Sequence, residues 1–92
     1  MGKKRNRLQV IYDILNVIRE KSGRIKPTHI LYKSNLSHQM MEDYLDELKI
    51  KQFIIEQKTK TGKTYVITDK GLKYLQEYST INNFMDAFGL GS

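Results

Sequence analysis

The stretch THILYKSNLSHQMMEDYLDEL, residues 28–48, decides how this 92-residue chain is read. Ile30 and Leu31 are apolar positions of a short helical segment, and the pattern breaks at Ser34-Asn35. Met41, Leu45 and Leu48 then recur at i, i+4 and i+7, which is one face of a longer helix. Asn35 suits a left-handed turn position, and Leu36 can fold back onto a core. Ser37 is a favoured N-cap whose hydroxyl accepts from an orphan amide of the first turn. Two helices joined this tightly predict a helix-turn-helix, a unit that presents its second helix to a nucleic-acid groove.

Upstream of it, residues 1–7 form a basic arm. Leu8, Ile11, Ile14, Leu15 and Ile18 keep helical spacing and predict a helix over about 5–21, with Gly23 as its C′ residue. Arg24, Ile25 and Lys26 predict a short strand, with Lys26 held extended by Pro27. The second helix is expected from Pro27 or Thr28 to near Lys33, and the third over about 38–51.

Downstream, residues 53–55 and 64–67 read as strands joined by the polar, basic loop KTKTGK, where Gly62 is free to take positive φ. Thr68 is placed to cap a last helix, with Asp69 at its positive end. The chain is therefore expected to be mainly α with one small β-hairpin, an α+β fold of winged helix-turn-helix type with an extra C-terminal helix. The winged domain is assigned to residues 8–71, the C-terminal helix to 72–88 and a disordered tail to 89–92.

That last helix carries two patterns. Leu72 and Leu75 are assigned to the domain core. Tyr74, Tyr78, Ile81, Met85 and Phe88 step by 4, 3, 4 and 3, the spacing of heptad a and d positions. A small domain has little surface left to cover such a stripe, so it predicts a homodimer about a two-fold axis. The alternatives are that the stripe packs back on the first helix, or that Asn82 and Asn83 end the helix early.

The net charge is +6 and the pI about 9.6. Residues 1–26 hold eight basic and two acidic side chains and residues 58–73 five and one, whereas the intervening and final stretches are acidic. Positive charge thus gathers in the N-terminal segment and the hairpin. The absence of cysteine excludes disulfides and thiolate metal sites. No apolar run approaches the roughly 18 residues of a membrane span, and the start lacks a signal-peptide core, so a cytoplasmic, nucleoid-associated location is expected.

An enzyme finds little here. His29 and His38 fall on different elements, no thiol exists, and no glycine-rich phosphate loop follows a strand. Glu42, Asp43, Asp46 and Glu47 read as the solvated face of a helix. No catalytic residue, metal ligand or cofactor is assigned. For nucleic acid the inventory is better. Lys3, Lys4, Arg5, Arg7, Arg24, Lys26, Lys33, Lys58, Lys60 and Lys63 are candidate phosphate contacts, spread over the arm, short strand, second helix and wing. Ser37, His38 and Gln39 are candidate groove contacts, Gln being suited to adenine. Because four acids follow, only the tip of the third helix is expected to enter the groove. The alternative is a protein-interaction module that uses the acidic face of that helix.

The run ILYKSNLSHQMMEDYLDEL followed by YVITDKGLKYL resembles small archaeal winged-helix DNA-binding proteins whose C-terminal helix forms an antiparallel coiled-coil dimer. Their Tyr-Lys-x-Asn-Leu-Ser stretch matches Tyr32 to Ser37, their Tyr-Leu pair Tyr44-Leu45, and their Thr-x-Lys-Gly the segment from Thr68 to Gly71. The resemblance spans about residues 8–80 and implies binding of duplex DNA as a homodimer, in chromatin or in transcriptional regulation. One position departs: where such proteins place a glycine between the third helix and the wing this chain has Gln52, so that helix terminus is expected to take either another conformation or a strained one.

Overall fold

A computed structural model describes residues 6–21 and 24–90. Four helices and one hairpin follow in the order α1 (Arg7–Lys21), α2 (Pro27–Ser34), α3 (His38–Ile50), β1 (Ile54–Thr59), β2 (Gly62–Ile67) and α4 (Asp69–Ala87). The winged helix-turn-helix order is as expected. The basic arm through Arg5, Gly23, and Gly91-Ser92 lie outside the described residues.

Helix α1 is the spine of the core. Val10, Ile11, Ile14, Leu15, Val17 and Ile18 are all buried on it, each such side chain contributing about 1.5–3 kcal/mol. They meet Ile30 from α2, Met41, Leu45 and Leu48 from α3, Ile54 and Tyr65 from the hairpin, and Leu75 from α4. Leu72 departs from expectation: it is 41% exposed, because the first turn of α4 faces Phe53 and Ile67 through Gly71 instead. The start of α1 also differs. Asn6, read as part of the arm, accepts from the amide of Gln9 through Oδ1 at 2.8 Å and so caps the helix.

The turn between α2 and α3 is as read. Asn35 adopts φ 54°, ψ 50°, and its amide returns to the Leu31 carbonyl. Ser37 accepts from the Met40 amide at 3.2 Å, and Leu36 is half-buried against the core. The strand expected at residues 24–26 contracts to a single bridge, Ile25 to Tyr65, since Pro27 opens α2 immediately afterwards.

The wing is longer than its sequence suggests. Pairing runs from Ile54 opposite Ile67 to Thr59 opposite Gly62, so the loop shrinks to Lys60-Thr61. Polar Gln57, Lys58 and Thr59 take strand conformation because β2 supplies their backbone partners. Gly62 has φ 146°, and the Thr59 hydroxyl donates to its carbonyl at 3.1 Å.

Between α3 and β1 the chain turns through Gln52 at φ 65°, a left-handed conformation that costs a side-chain-bearing residue about 1–2 kcal/mol. The start of α4 clamps this turn. The Thr68 hydroxyl lies 2.7 Å from the Gln52 carbonyl and 3.0 Å from that of Phe53, and it caps α4 by accepting from the Gly71 amide at 3.2 Å. Lys70 donates to the Lys51 carbonyl at 2.8 Å and lies over the Phe53 ring. With the Thr68 amide donating to the Phe53 carbonyl at 3.0 Å and its hydroxyl to that of Gln52, three successive carbonyls of the strained turn find donors. A Cβ on Gly71 would stand 2.5 Å from the Phe53 carbonyl oxygen, so this close approach demands glycine.

At the other end, from Ile81 to Leu90 every residue is exposed. Gly89, assigned to the disordered tail, closes α4 instead: it has φ 69° and donates to the Asp86 carbonyl, while the Leu90 amide reaches that of Met85 at 2.7 Å. These paired bonds form a Schellman cap. Among the described residues no helix is long and apolar enough to cross a membrane.

Candidate nucleic-acid interface

At 100° per residue, burial of Met41, Leu45 and Leu48 sends Gln39, Asp43, Asp46 and Ile50 to the opposite ridge of α3, and all four are exposed. Ser37, His38 and Gln39 stand together at the N-terminal tip, where the helix dipole and free amides favour an anion. His38 Nε2 lies 3.6 Å from Glu42 Oε2. Gln39 Nε2 donates to Asp43 Oδ1 at 3.0 Å, a contact that i, i+4 spacing makes available. Beyond the tip the outward ridge carries carboxylates and one bare isoleucine.

The wing stands beside α3. Pro27, His38, Met41, Glu42, Asp46 and Lys63 are among the residues lining a cleft of about 180 Å³, so the start of α2, the tip of α3 and strand β2 are neighbours. Lys58 and Lys60 are exposed on the wing. Lys63 is 3.8 Å from Glu56 Oε1, which also accepts from Lys49 at 2.9 Å. The Lys49 ammonium holds the Glu56 carboxyl below its usual range and is itself raised by Glu56. Lys49 also stands 3.6 Å from Asp46. It is thus a counter-charge for two acids, Asp46 three residues before it on α3 and Glu56 on β1, and the second pairing crosses the turn between the two elements.

Arg24, Lys26 and Lys33 are exposed. Arg24 shares a concavity of about 510 Å³ with Glu20, Lys21 and His29, and Lys26 flanks the start of α2 in extended conformation. Lys3, Lys4 and Arg5 lie outside the described residues. Arg7 is placed otherwise than expected: its guanidinium pairs with Glu47 and lies 5.9 Å from the centre of the Tyr44 ring. Glu47 accepts from Lys51 as well, at 2.9 Å. Arg7 first, then Lys51, lowers the Glu47 carboxyl, and Glu47 in turn raises Arg7. Arg7 therefore ties α1 to the far end of α3, away from the wing.

The α4 stripe divides in two. The Tyr74 ring meets Phe53 edge-on at 5.8 Å, and Tyr78 stacks on Tyr12 at 4.7 Å, so both lie against their own domain. Ile81, Met85 and Phe88 remain exposed, joined by Phe84, which packs on Phe88 at 4.9 Å. Phe84 falls outside the heptad spacing, although it stands three residues beyond Ile81 and four before Phe88. Among the described residues no group of three or more His, Asp or Glu side chains gathers where a metal could be held.

A helix-turn-helix followed by a two-stranded wing defines a class, and the sequence agrees: residues 4–86 match the winged helix-turn-helix family, to which this chain belongs. Among solved structures it is similar to Sso10a-2, a DNA-binding protein from Sulfolobus solfataricus, with a TM-score of 0.79 and 20% identity over 91% of this chain and 85% of that one. F93 from STIV, a winged-helix DNA-binding protein, superposes with a TM-score of 0.72 and 21% identity, covering 85% of this chain and 90% of that one. A mutant of MepR from S. aureus gives a TM-score of 0.75 at 15% identity over 86% of this chain, which spans only 61% of MepR. At these identities the likeness is one of fold. No curated protein sequence gives a significant match.

Proposed function

We propose that the protein binds duplex DNA as a homodimer and serves, without enzymatic activity, as a transcriptional regulator or chromatin-associated protein of the cytoplasmic nucleoid. The observation that carries this reading is the exposure of Lys58 and Lys60 on a wing adjoining the positive tip of α3. The DNA-binding proteins of the same fold named above support it. In this reading the wing lysines, with Arg24, Lys26 and Lys33, hold phosphates, and the segment Ser37-His38-Gln39 reaches the groove. Ile81, Phe84, Met85 and Phe88 supply an exposed apolar face for a second copy. Replacing Lys58 and Lys60 by Ala tests the wing: the log–log salt slope flattens by roughly 0.9 per lost contact, and an unchanged slope removes the wing from the interface.

One observation favours a second reading. Asp43, Asp46 and Ile50, the last 80% exposed, suit a basic, amphipathic protein partner better than they suit phosphates. Replacing Asp43 and Asp46 by Asn separates the two, since it strengthens DNA binding in the first reading and abolishes partner capture in the second.

A further inference from the structure

We propose that Asp43 is a positioning residue for base readout, holding the Gln39 amide in the one orientation that recognises adenine. The inference rests on the DNA-binding reading above. Gln39 sits in the first turn of α3 on the outward ridge, and its Nε2 donates to Asp43 Oδ1 at 3.0 Å. A carboxylate has only acceptors to offer. It can therefore face the nitrogen of the Gln39 amide and never the oxygen, so flipping the amide would set oxygen against oxygen.

The nitrogen carries two hydrogens. With one given to Asp43, the other remains available beside Oε1, and together they form a donor–acceptor edge. That edge matches adenine in the major groove, where the N6 amino group donates and N7 accepts. Guanine presents two acceptors, N7 and O6, and leaves Oε1 facing O6. The Asp43 charge has a second consequence, because it repels phosphates and weakens binding to every sequence alike. Asp43 thus lowers affinity while sharpening discrimination, and the two effects are separable by experiment.

The test is selection of a preferred site from randomised duplexes. Anisotropy titrations then follow on that duplex and on versions with each other base pair at the position Gln39 reads, with circular dichroism checking the fold of every variant. Wild type is expected to prefer adenine at one position by roughly 5- to 100-fold, and Gln39→Ala to lose that preference. In Asp43→Asn the new amide can donate or accept, so both Gln39 orientations become available. Affinity then rises on all duplexes while the preference falls several-fold. Asp43→Glu, again acceptor-only, retains the preference. A uniform rise in affinity in Asp43→Asn with the preference intact overturns the proposal and leaves Asp43 a mere charge. Binding by wild type without any adenine preference also overturns it, with DNA binding itself standing. No binding at all removes both.

Discussion

The Tyr74 hydroxyl donates to the Leu8 carbonyl at 2.7 Å, joining α4 to the first turn of α1 across 66 positions. The same ring packs on Phe53, so one side chain fastens the C-terminal helix to both the spine and the strained turn. Tyr74→Phe keeps the ring and removes the hydrogen bond, and chemical denaturation should show a loss of about 1 kcal/mol. Burial raises the Tyr74 phenol above its ordinary value, as it does for Tyr65 and Tyr78. A raised folded value contributes stability that is complete below the unfolded value of about 10 and lost as pH rises through the folded one. Melting temperature should therefore fall above about pH 10, less steeply in Tyr74→Phe.

The acid side has the opposite sign. Glu47 beside Arg7 and Glu56 beside Lys49 are both held below the usual carboxylate range. Their contribution is complete above the unfolded value of about 4.3 and disappears as pH falls through the folded values. Melts between about pH 5 and 3 should show a shallower decline for Glu47→Gln/Glu56→Gln than for wild type. The change is small, since exposed pairs contribute little.

The turn after α3 predicts two substitutions of opposite effect. Gly71→Ala places a Cβ 2.5 Å from the Phe53 carbonyl oxygen and 2.6 Å from Ile67 Cγ1. It should cost about 1–3 kcal/mol in urea denaturation. Gln52→Gly relieves a left-handed residue at φ 65° and, less the added flexibility of the unfolded chain, should gain about 0.5–1 kcal/mol.

For the α4 face, Ile81→Asp with Met85→Asp should convert a dimer to a monomer in analytical ultracentrifugation. Both side chains are exposed, at 61% and 36%, and neither belongs to the hydrophobic core, so the fold is expected to survive the change. A dimer that persists places the interface elsewhere.

The helices were legible because their determinants are local. Ile11, Ile14 and Ile18 keep helical period, Asn35 tolerates the left-handed turn, and Ser37 and Thr68 carry cap oxygens. The wing was less so, because Gln57, Lys58 and Thr59 have the composition of a loop and become strand only opposite β2. The requirement for glycine at 71 depends on a backbone approach between distant segments. The ion pair of Arg7 with Glu47 joins residues 40 apart, and nothing in the basic arm announces that its last arginine pairs across the surface with an acid of α3. Tyr74 and Tyr78 have heptad spacing, yet their phenols find Leu8 and Tyr12 first. The tether of Gln39 to Asp43 lay within reach of i, i+4 spacing, but its meaning depends on which side of α3 is bare.

The central claim is tested most directly by fluorescence anisotropy of a labelled random-sequence duplex titrated at about 50 and 200 mM salt. Binding at micromolar concentration at the lower salt, weakening by roughly 10³- to 10⁵-fold at the higher if a dimer makes about 6–10 phosphate contacts, is the predicted result. No binding even at the lower salt would contradict it and transfer the function of α3 to a protein partner.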